Sequence, residues 1–379
     1  MYITMDEGER GELDTLLRGI RAQVHSHPEL SNREFETTKL VQRHLAALGL
    51  EPVELGLPTG AAALLRGGRP GPTVGLRADL DALPVTEQTG APYGSENEGV
   101  MHACGHDVHT SVLLGAAELL TKRREEIAGN ILFLFQPAEE AMVGARHVVE
   151  QGLFQRVKLS ALLGMHVWPQ LPRGEVGLRA GAFFAAVDNF RIVITGRGGH
   201  GSTPNLSRSP IGAGAALALA IPAIKAYDLP PTEPATVAVT LLQAGYCNNV
   251  IPDTCELQGT IRTFSEEARH IVAQRLQELT RSTAAAWGCT GEAEISKGTP
   301  PLVNDEGLEQ VMAGAARTVF GEDACRTLEP VTISEDFAYY GTQVPSCMAL
   351  LGVGGSAALH NAAFLAESAL RALDWANRE

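Results

Sequence analysis

Eight consecutive residues, His102-Ala103-Cys104-Gly105-His106-Asp107-Val108-His109, crowd three histidines, a cysteine and an aspartate into one short stretch. Metal sites need such crowding, because borderline-soft ions such as zinc or manganese take thiolate, imidazole and carboxylate ligands. A fold that serves this stretch must bring further ligands to it. The apolar strand expected over Ile131 to Phe135 runs into Gln136-Pro137-Ala138-Glu139-Glu140, two adjacent acids at a strand end. Neighbouring residues diverge in direction, so one acid can face a metal and the other a water whose proton it takes. A second reading stays open: Cys104 as a thiol nucleophile activated by a nearby histidine, with no metal requirement.

The rest of the chain supplies a scaffold for such a site. Helical spacing covers Glu9 to Ala22, Ser31 to Leu48 and Thr110 to Leu120. Apolar strands are expected from Pro72 toward Asp79, over Ala161 to Val167 and over Cys347 to Val353. Strands alternating with helices predict an α/β catalytic domain with a mostly parallel sheet covered on both faces. Asp79, Glu139, Glu140 and His166 fall at or just past C-terminal strand ends, where open α/β sheets bind ligands. His360, in Leu359-His360-Asn361, follows the last strand.

The middle of the chain has a different pattern. Val187 to Thr195 and Thr254 to Thr263 alternate as half-exposed strands do, and Ala235 to Leu242 and Glu292 to Ile295 read as further strands. An Ala-rich helical run covers Ser209 to Tyr227, and Ser265 caps a second helix reaching about Ala285. The order β-α-β-β-α-β predicts a ferredoxin-like α+β domain inserted into the first. The expected division is a discontinuous catalytic domain, 1–185 and 297–379, with a lid over 186–296. Within the lid, His200 lies in Gly198-Gly199-His200-Gly201-Ser202, which reads either as a ligand contact or as a simple glycine turn. Arg262, on an alternating strand, reads either as a bidentate clamp for a carboxylate or as an ordinary surface arginine.

Of 379 residues, the acidic ones outnumber the basic ones to give a formal net charge of −14, which argues against a nucleic-acid partner. The first ten residues lack the basic start and apolar core of a signal peptide, and no apolar run approaches the ~20 residues of a membrane span. Six dispersed cysteines in so long a chain do not suggest a disulfide framework, so a reducing cytoplasm is expected.

These motifs resemble the metallopeptidase family that includes aminoacylase, acetylornithine deacetylase and several carboxypeptidases. The resemblance is closer to its amidohydrolase subgroup of hippurate hydrolases and auxin–amino acid conjugate hydrolases. It rests on His25-Ser26-His27-Pro28-Glu29-Leu30, Leu76-Arg77-Ala78-Asp79-Leu80-Asp81-Ala82-Leu83-Pro84, Met101 to His109, Gln136 to Glu140 and Gly164-Met165-His166-Val167. Gly196 to His200, Asn249-Val250-Ile251-Pro252-Asp253, Gly259-Thr260-Ile261-Arg262, Ser334-Glu335-Asp336-Phe337 and Leu359-His360-Asn361 complete it.

The resemblance implies two divalent metal ions, manganese or zinc with nickel or cobalt as further candidates, held by Cys104, His106, Glu140, His166 and His360. It implies Glu139 as general base and acid, Asp79 as an acid that orients a ligand, and His200 as an oxyanion-stabilising lid histidine that reaches a partner subunit. Asn249 and Arg262 match substrate-contacting positions. The implied reaction is hydrolysis of a small N-acyl amino acid by a homodimer formed through the lid. A dipeptidase, a carboxypeptidase or an N-acetyl-diaminopimelate-type deacetylase is the alternative, and a scaffold that has lost its chemistry is a third class. Asn205 and Gly245-Tyr246-Cys247-Asn248 depart from the subgroup pattern near the expected substrate entrance.

Overall fold

The computed structural model describes residues 5–354 together with 368, 370 and 371. The chain divides into two compact units: Met1–Gly181 with Val303–Glu329 and Glu335–Glu379, and Ala182–Leu302 with Pro330–Ser334.

In the first unit, apolar runs with little polar alternation become strands buried on both faces. Ala128–Gln136 is buried along nearly its whole length, as a central strand must be. It pairs in parallel with Arg69–Asp79, which pairs in parallel with Ala161–Trp168, which in turn pairs in parallel with Ser346–Gly352. Antiparallel pairing extends the sheet at both sides, through Ala61–Arg66 and Glu51–Pro52 on one and Val176–Leu178 on the other. The resulting eight-stranded sheet is closed at its last edge by Cys325–Thr327. The sequence reading held the parallel centre but not the Ala61–Arg66 strand, whose Ala-Ala-Ala-Leu-Leu-Arg composition carries no strand preference of its own.

The helix Glu7–Ser26 starts at a capping box: Asp6 accepts from the Glu9 backbone while Glu9 accepts from that of Asp6. Its Leu13, Leu17, Ile20 and Val24 face joins Val112, Leu113 and Leu120 of the His106–Thr121 helix and Leu76 and Phe133 of the sheet in one apolar cluster. This cluster fixes the His106–Thr121 helix, and with it the residues at its start.

The second unit is a four-stranded antiparallel sheet in the order Ala235–Ala244, Thr254–Thr263, Ala186–Thr195, Thr290–Lys297. That is the order of the expected ferredoxin-like fold. Phe190, Ile192, Ile194, Leu257 and Ile261 pack with Leu217, Val272 and Leu276 of the helices. The Ala-rich run is not one helix. It breaks into Pro210–Ala220 and Ala223–Tyr227 around Pro222, which has no N–H to continue the ladder. The unit also takes in Pro330–Ser334, because Val331 exchanges backbone hydrogen bonds with Phe183 and Ala185.

One ion pair ties this second unit together. Arg269 donates to both oxygens of buried Asp188, at 2.7 and 2.6 Å, and to the Gly298 carbonyl at 2.9 Å. Removing one partner of a buried pair strands the other charge. Asp188→Ala is therefore expected to destabilise the unit by about 3–5 kcal/mol, measured as a lower midpoint in urea. A loss below ~1 kcal/mol would contradict the pair's structural weight.

Candidate metal centre

Three parallel strands deliver side chains to one end of the first unit's sheet. Arg69–Asp79 ends on Asp79, Ala128–Gln136 leads directly to Glu139 and Glu140, and Ala161–Trp168 carries His166. The His106–Thr121 helix begins at His106 behind Gly105, whose φ of 82° is left-handed and whose missing Cβ would meet Val167 Cγ2 at 2.6 Å. Only glycine allows the helix to start there.

Buried Asp81 organises the acids. Its carboxylate accepts from the backbone N–H of Glu139 at 3.1 Å, that of Glu140 at 3.0 Å, and the Ser31 hydroxyl at 2.6 Å. The backbone carbonyl of the same residue accepts from His106 Nδ1 at 2.9 Å. His106 thus carries its proton on Nδ1 and turns Nε2 the other way.

That turn creates the candidate site. Donor atoms of Cys104, His106 and Glu140 all lie within 4.8 Å of one another. Among the described residues, His106 Nε2 and Glu140 Oε1 are buried without a hydrogen-bond partner. Around Nε2 stand Asp79 at 3.7 Å and Glu139 and Glu140, each at 3.9 Å. So many carboxylates around one bare nitrogen demand positive charge. Burial works against a charged His106, yet Asp79 and Asp81 outweigh it and push this histidine up to about 10. A divalent cation answers the same demand, and the thiol, imidazole and carboxylate set suits one. The residues therefore fit a metal.

The thiol-nucleophile reading fares differently. Burial first, then Glu140 and Glu139, pushes the Cys104 thiol far above its ordinary value. A nucleophilic cysteine needs electropositive surroundings, and these are the reverse.

His166 stands in the same crevice, its ring centroid 6.0 Å from that of His106 and 4.7 Å from that of His109. Its Nδ1 donates to the Val167 carbonyl at 2.7 Å. Burial and then His109 push it down to about 3, so it is a neutral imidazole, the form that ligates.

Glu139 is buried beside Glu335 and Asp336, with oxygens of all three mutually within 4.8 Å. Burial, then those two acids, hold its carboxyl well above the usual range. Asp79 is shared between a histidine and an arginine. It accepts from His109 Nδ1 at 2.6 Å and from Arg77 at 2.7 Å, while contact with the His106 Nδ1 side comes from Asp81. His109 Nε2 accepts from the Val167 N–H at 2.9 Å, so both its nitrogens are occupied within the protein.

Asp81, His109, Glu335, Asp336 and Arg77 had no assigned role at the sequence level. The available signal was charge inside an apolar strand: Arg77, Asp79 and Asp81 recur at period two within a run otherwise fit for a core.

His200, Asn249 and Arg262 belong to the second unit. His200 and Asn249 are exposed and close together, since Gly201 N donates to the Asn249 carbonyl at 2.8 Å. Half-buried Arg262 donates to Thr260 Oγ1 and, at 3.1 Å, to the Ile261 carbonyl. His360 lies outside the described residues.

The sequence signature of Peptidase family M20/M25/M40 matches residues 75–375. The chain belongs to that family. It is a metal-dependent hydrolase, as the donor set already required. It is 40% identical to an N-acetyl-L-cysteine deacetylase of Bacillus subtilis over 93% of this chain and 84% of that protein. It is 37% identical to thermostable carboxypeptidase 2 of Saccharolobus solfataricus over 90% of this chain and 86% of that protein. Among solved structures, a dinuclear metal binding peptidase from Bacillus subtilis superposes with a TM-score of 0.86 at 36% identity, covering 96% of this chain and 99% of that one.

Asp81→Ala leaves the Glu139 and Glu140 backbone unanchored. Metal affinity, read by competition with a chromophoric chelator, is expected to fall about 10–100-fold while the circular dichroism spectrum is kept. An unchanged affinity would remove Asp81 from the site.

Proposed function

We propose that this chain is an amidohydrolase that cleaves N-acyl amino acids into a carboxylic acid and an amino acid. The observation that carries this reading is the meeting of Cys104, His106 and Glu140, with His106 Nε2 and Glu140 Oε1 unpartnered among the described residues, beside Glu139, a carboxyl held up by burial and by Glu335 and Asp336. Cys104, His106, Glu140 and His166, with His360, would hold two divalent ions, manganese or zinc. When bound, such ions polarise the amide carbonyl and acidify water.

Glu139 takes the proton from the attacking water and returns it to the leaving nitrogen. A carboxyl whose affinity for protons is raised suits both halves of that transfer. His200 donates a hydrogen bond to the carbonyl oxygen as it gains charge. Asn249 and Arg262 hold the amino acid end of the substrate, the guanidinium against its carboxylate. The likeness to an N-acetyl-L-cysteine deacetylase supports an N-acyl substrate. The likeness to a carboxypeptidase supports peptide cleavage as the second reading.

The second unit is also the proposed dimer contact, through which His200 would serve the partner subunit. Its edge strand Ala235–Ala244 presents an unpaired outer edge with Leu241 and Leu242 exposed, a template for a second copy. Six free cysteines agree with a reducing, cytoplasmic setting, and no described helix is long and apolar enough to cross a membrane.

The test is amino acid release from N-acetyl, N-benzoyl and longer N-acyl amino acids, with dipeptides alongside. Chelator-stripped protein is compared with the same protein given manganese or zinc. Release restored by metal is expected, with N-acyl amino acids favoured over dipeptides. Release indifferent to the chelator would return Cys104 to the role of nucleophile, and dipeptide preference would favour the second reading. Glu139→Gln should lower kcat by about 10²–10⁴-fold with metal content unchanged. Equal turnover would displace Glu139 as the base.

A further inference from the structure

The backbone that carries His200 is fixed on both sides. Gly199–His200 pairs antiparallel with Val250–Ile251, His200 opposite Val250. Thr203 N donates to the His200 carbonyl at 3.0 Å, closing a tight turn around the ring. The imidazole is exposed, and its hydrogen bonds run to one residue, Ser202. The Ser202 backbone N–H lies 3.2 Å from Nδ1, and the Ser202 hydroxyl lies 2.8 Å from the same nitrogen.

These two contacts decide the tautomer. A backbone N–H can only donate, so Nδ1 accepts and carries no proton. A neutral imidazole has one N–H, which must then be on Nε2, the nitrogen turned away from the loop. The hydroxyl can rotate, so it adds a second donor to the same lone pair and holds the ring plane. With Nδ1 occupied, the ring has a single free function, donation from Nε2.

We propose that Ser202 is a positioning residue that fixes His200 as an Nε2–H donor. The group His200 serves is then acceptor-only and gains negative charge during reaction, as an amide carbonyl oxygen does on becoming an oxyanion. This inference rests on the donor role given to His200 above and adds the residue that sets it. It also gives a use to a serine in the glycine-rich turn that no earlier step required.

The test uses the metal-loaded enzyme with N-acetyl amino acids, comparing Ser202→Ala, Ser202→Thr and His200→Ala, with ring nitrogen shifts read from ¹⁵N-histidine-labelled protein. Losing one neutral hydrogen bond should lower kcat about three- to tenfold in Ser202→Ala. KM and the thermal midpoint should stay unchanged, and the His200 ring, held by the longer backbone contact alone, should move from the pure Nε2–H pattern toward a mixture in which Nε2–H remains the major form. Ser202→Thr, which keeps the hydroxyl, should restore both kcat and the pattern. An unchanged kcat in Ser202→Ala, a change in KM alone, or an Nδ1–H pattern in the unmodified enzyme would overturn the inference. His200→Ala separates the two levels. If it costs nothing, the donor role of His200 falls and Ser202 with it. If it costs heavily while Ser202→Ala costs nothing, only Ser202 falls.

Discussion

A single guanidinium, that of Arg77, underlies the arrangement of the catalytic end of the sheet. It is buried, and it donates to Gln136 at 2.8 Å, to Asp79 at 2.7 Å, and to Glu335 and Asp336 at 3.0 Å each. Those partners come from two strand ends and from a segment far along the chain. Its planar fork of donors is what allows one side chain to bind all of them at once. A buried charge left with partial pairing would be costly, so the three segments are held together or the site is not formed. Gln136 extends the effect: its amide donates to both oxygens of Asp336 and its carbonyl accepts from Tyr340. Asp336 in turn caps the Ala145 N–H, which anchors the loop beyond Glu140.

That loop is where the two acids part company. Ala138 has φ 56°, a left-handed conformation unusual for any residue with a Cβ. The surroundings over-determine it: Ala138 N donates to buried Glu34 at 2.9 Å, and its carbonyl accepts from Val143 and Gly144. At Gly144 a Cβ would stand 1.7 Å from the Pro137 carbonyl, so the return of the chain admits glycine alone. Asp81 then takes the N–H groups of Glu139 and Glu140 together. The turn sends Glu139 toward Glu335 and Asp336 and Glu140 toward Cys104 and His106. Adjacent residues with opposite environments can hold opposite duties, proton carrier and ligand.

The sequence made some of this legible and hid the rest for physical reasons. Apolar runs that end abruptly in charge mark buried strands meeting a polar rim, so Asp79, Glu139 and His166 could be placed at strand ends before any coordinates. Alternation in Thr254–Thr263 and Ala186–Thr195 likewise reveals strands covered on one face, and the ferredoxin-like order follows. Arg77 meets Glu335 across 258 residues and Asp81 meets Glu139 across 58, and no local pattern encodes such pairings. Asp79 was expected to orient a ligand, but which histidine it meets is set by the neighbouring layer: it accepts from His109 Nδ1 and lies 3.7 Å from His106 Nε2. Glu335 and Asp336 belonged to a motif without an assigned role, and their partner Arg77 is visible only in the folded chain.

Cys104 shows how the parts depend on one another. A cysteine among carboxylates is a poor thiolate, since burial and Glu140 both favour the neutral thiol. The same carboxylates surround His106 Nε2, which has no hydrogen-bond partner among the described residues, and draw it toward positive charge. Cys104, His106 and Glu140 would suit a bound cation, which would favour the thiolate, the neutral imidazole and the ionised carboxylate alike. Arg77, the buried arginine nearby, is committed to Asp79, Glu335 and Asp336. Among the described residues, the fold thus places the buried Arg77 beside Asp79, Glu335 and Asp336 and leaves the Cys104, His106 and Glu140 cluster short of positive charge. That asymmetry gives Glu139 and Glu140 opposite surroundings, although they are neighbours in the chain.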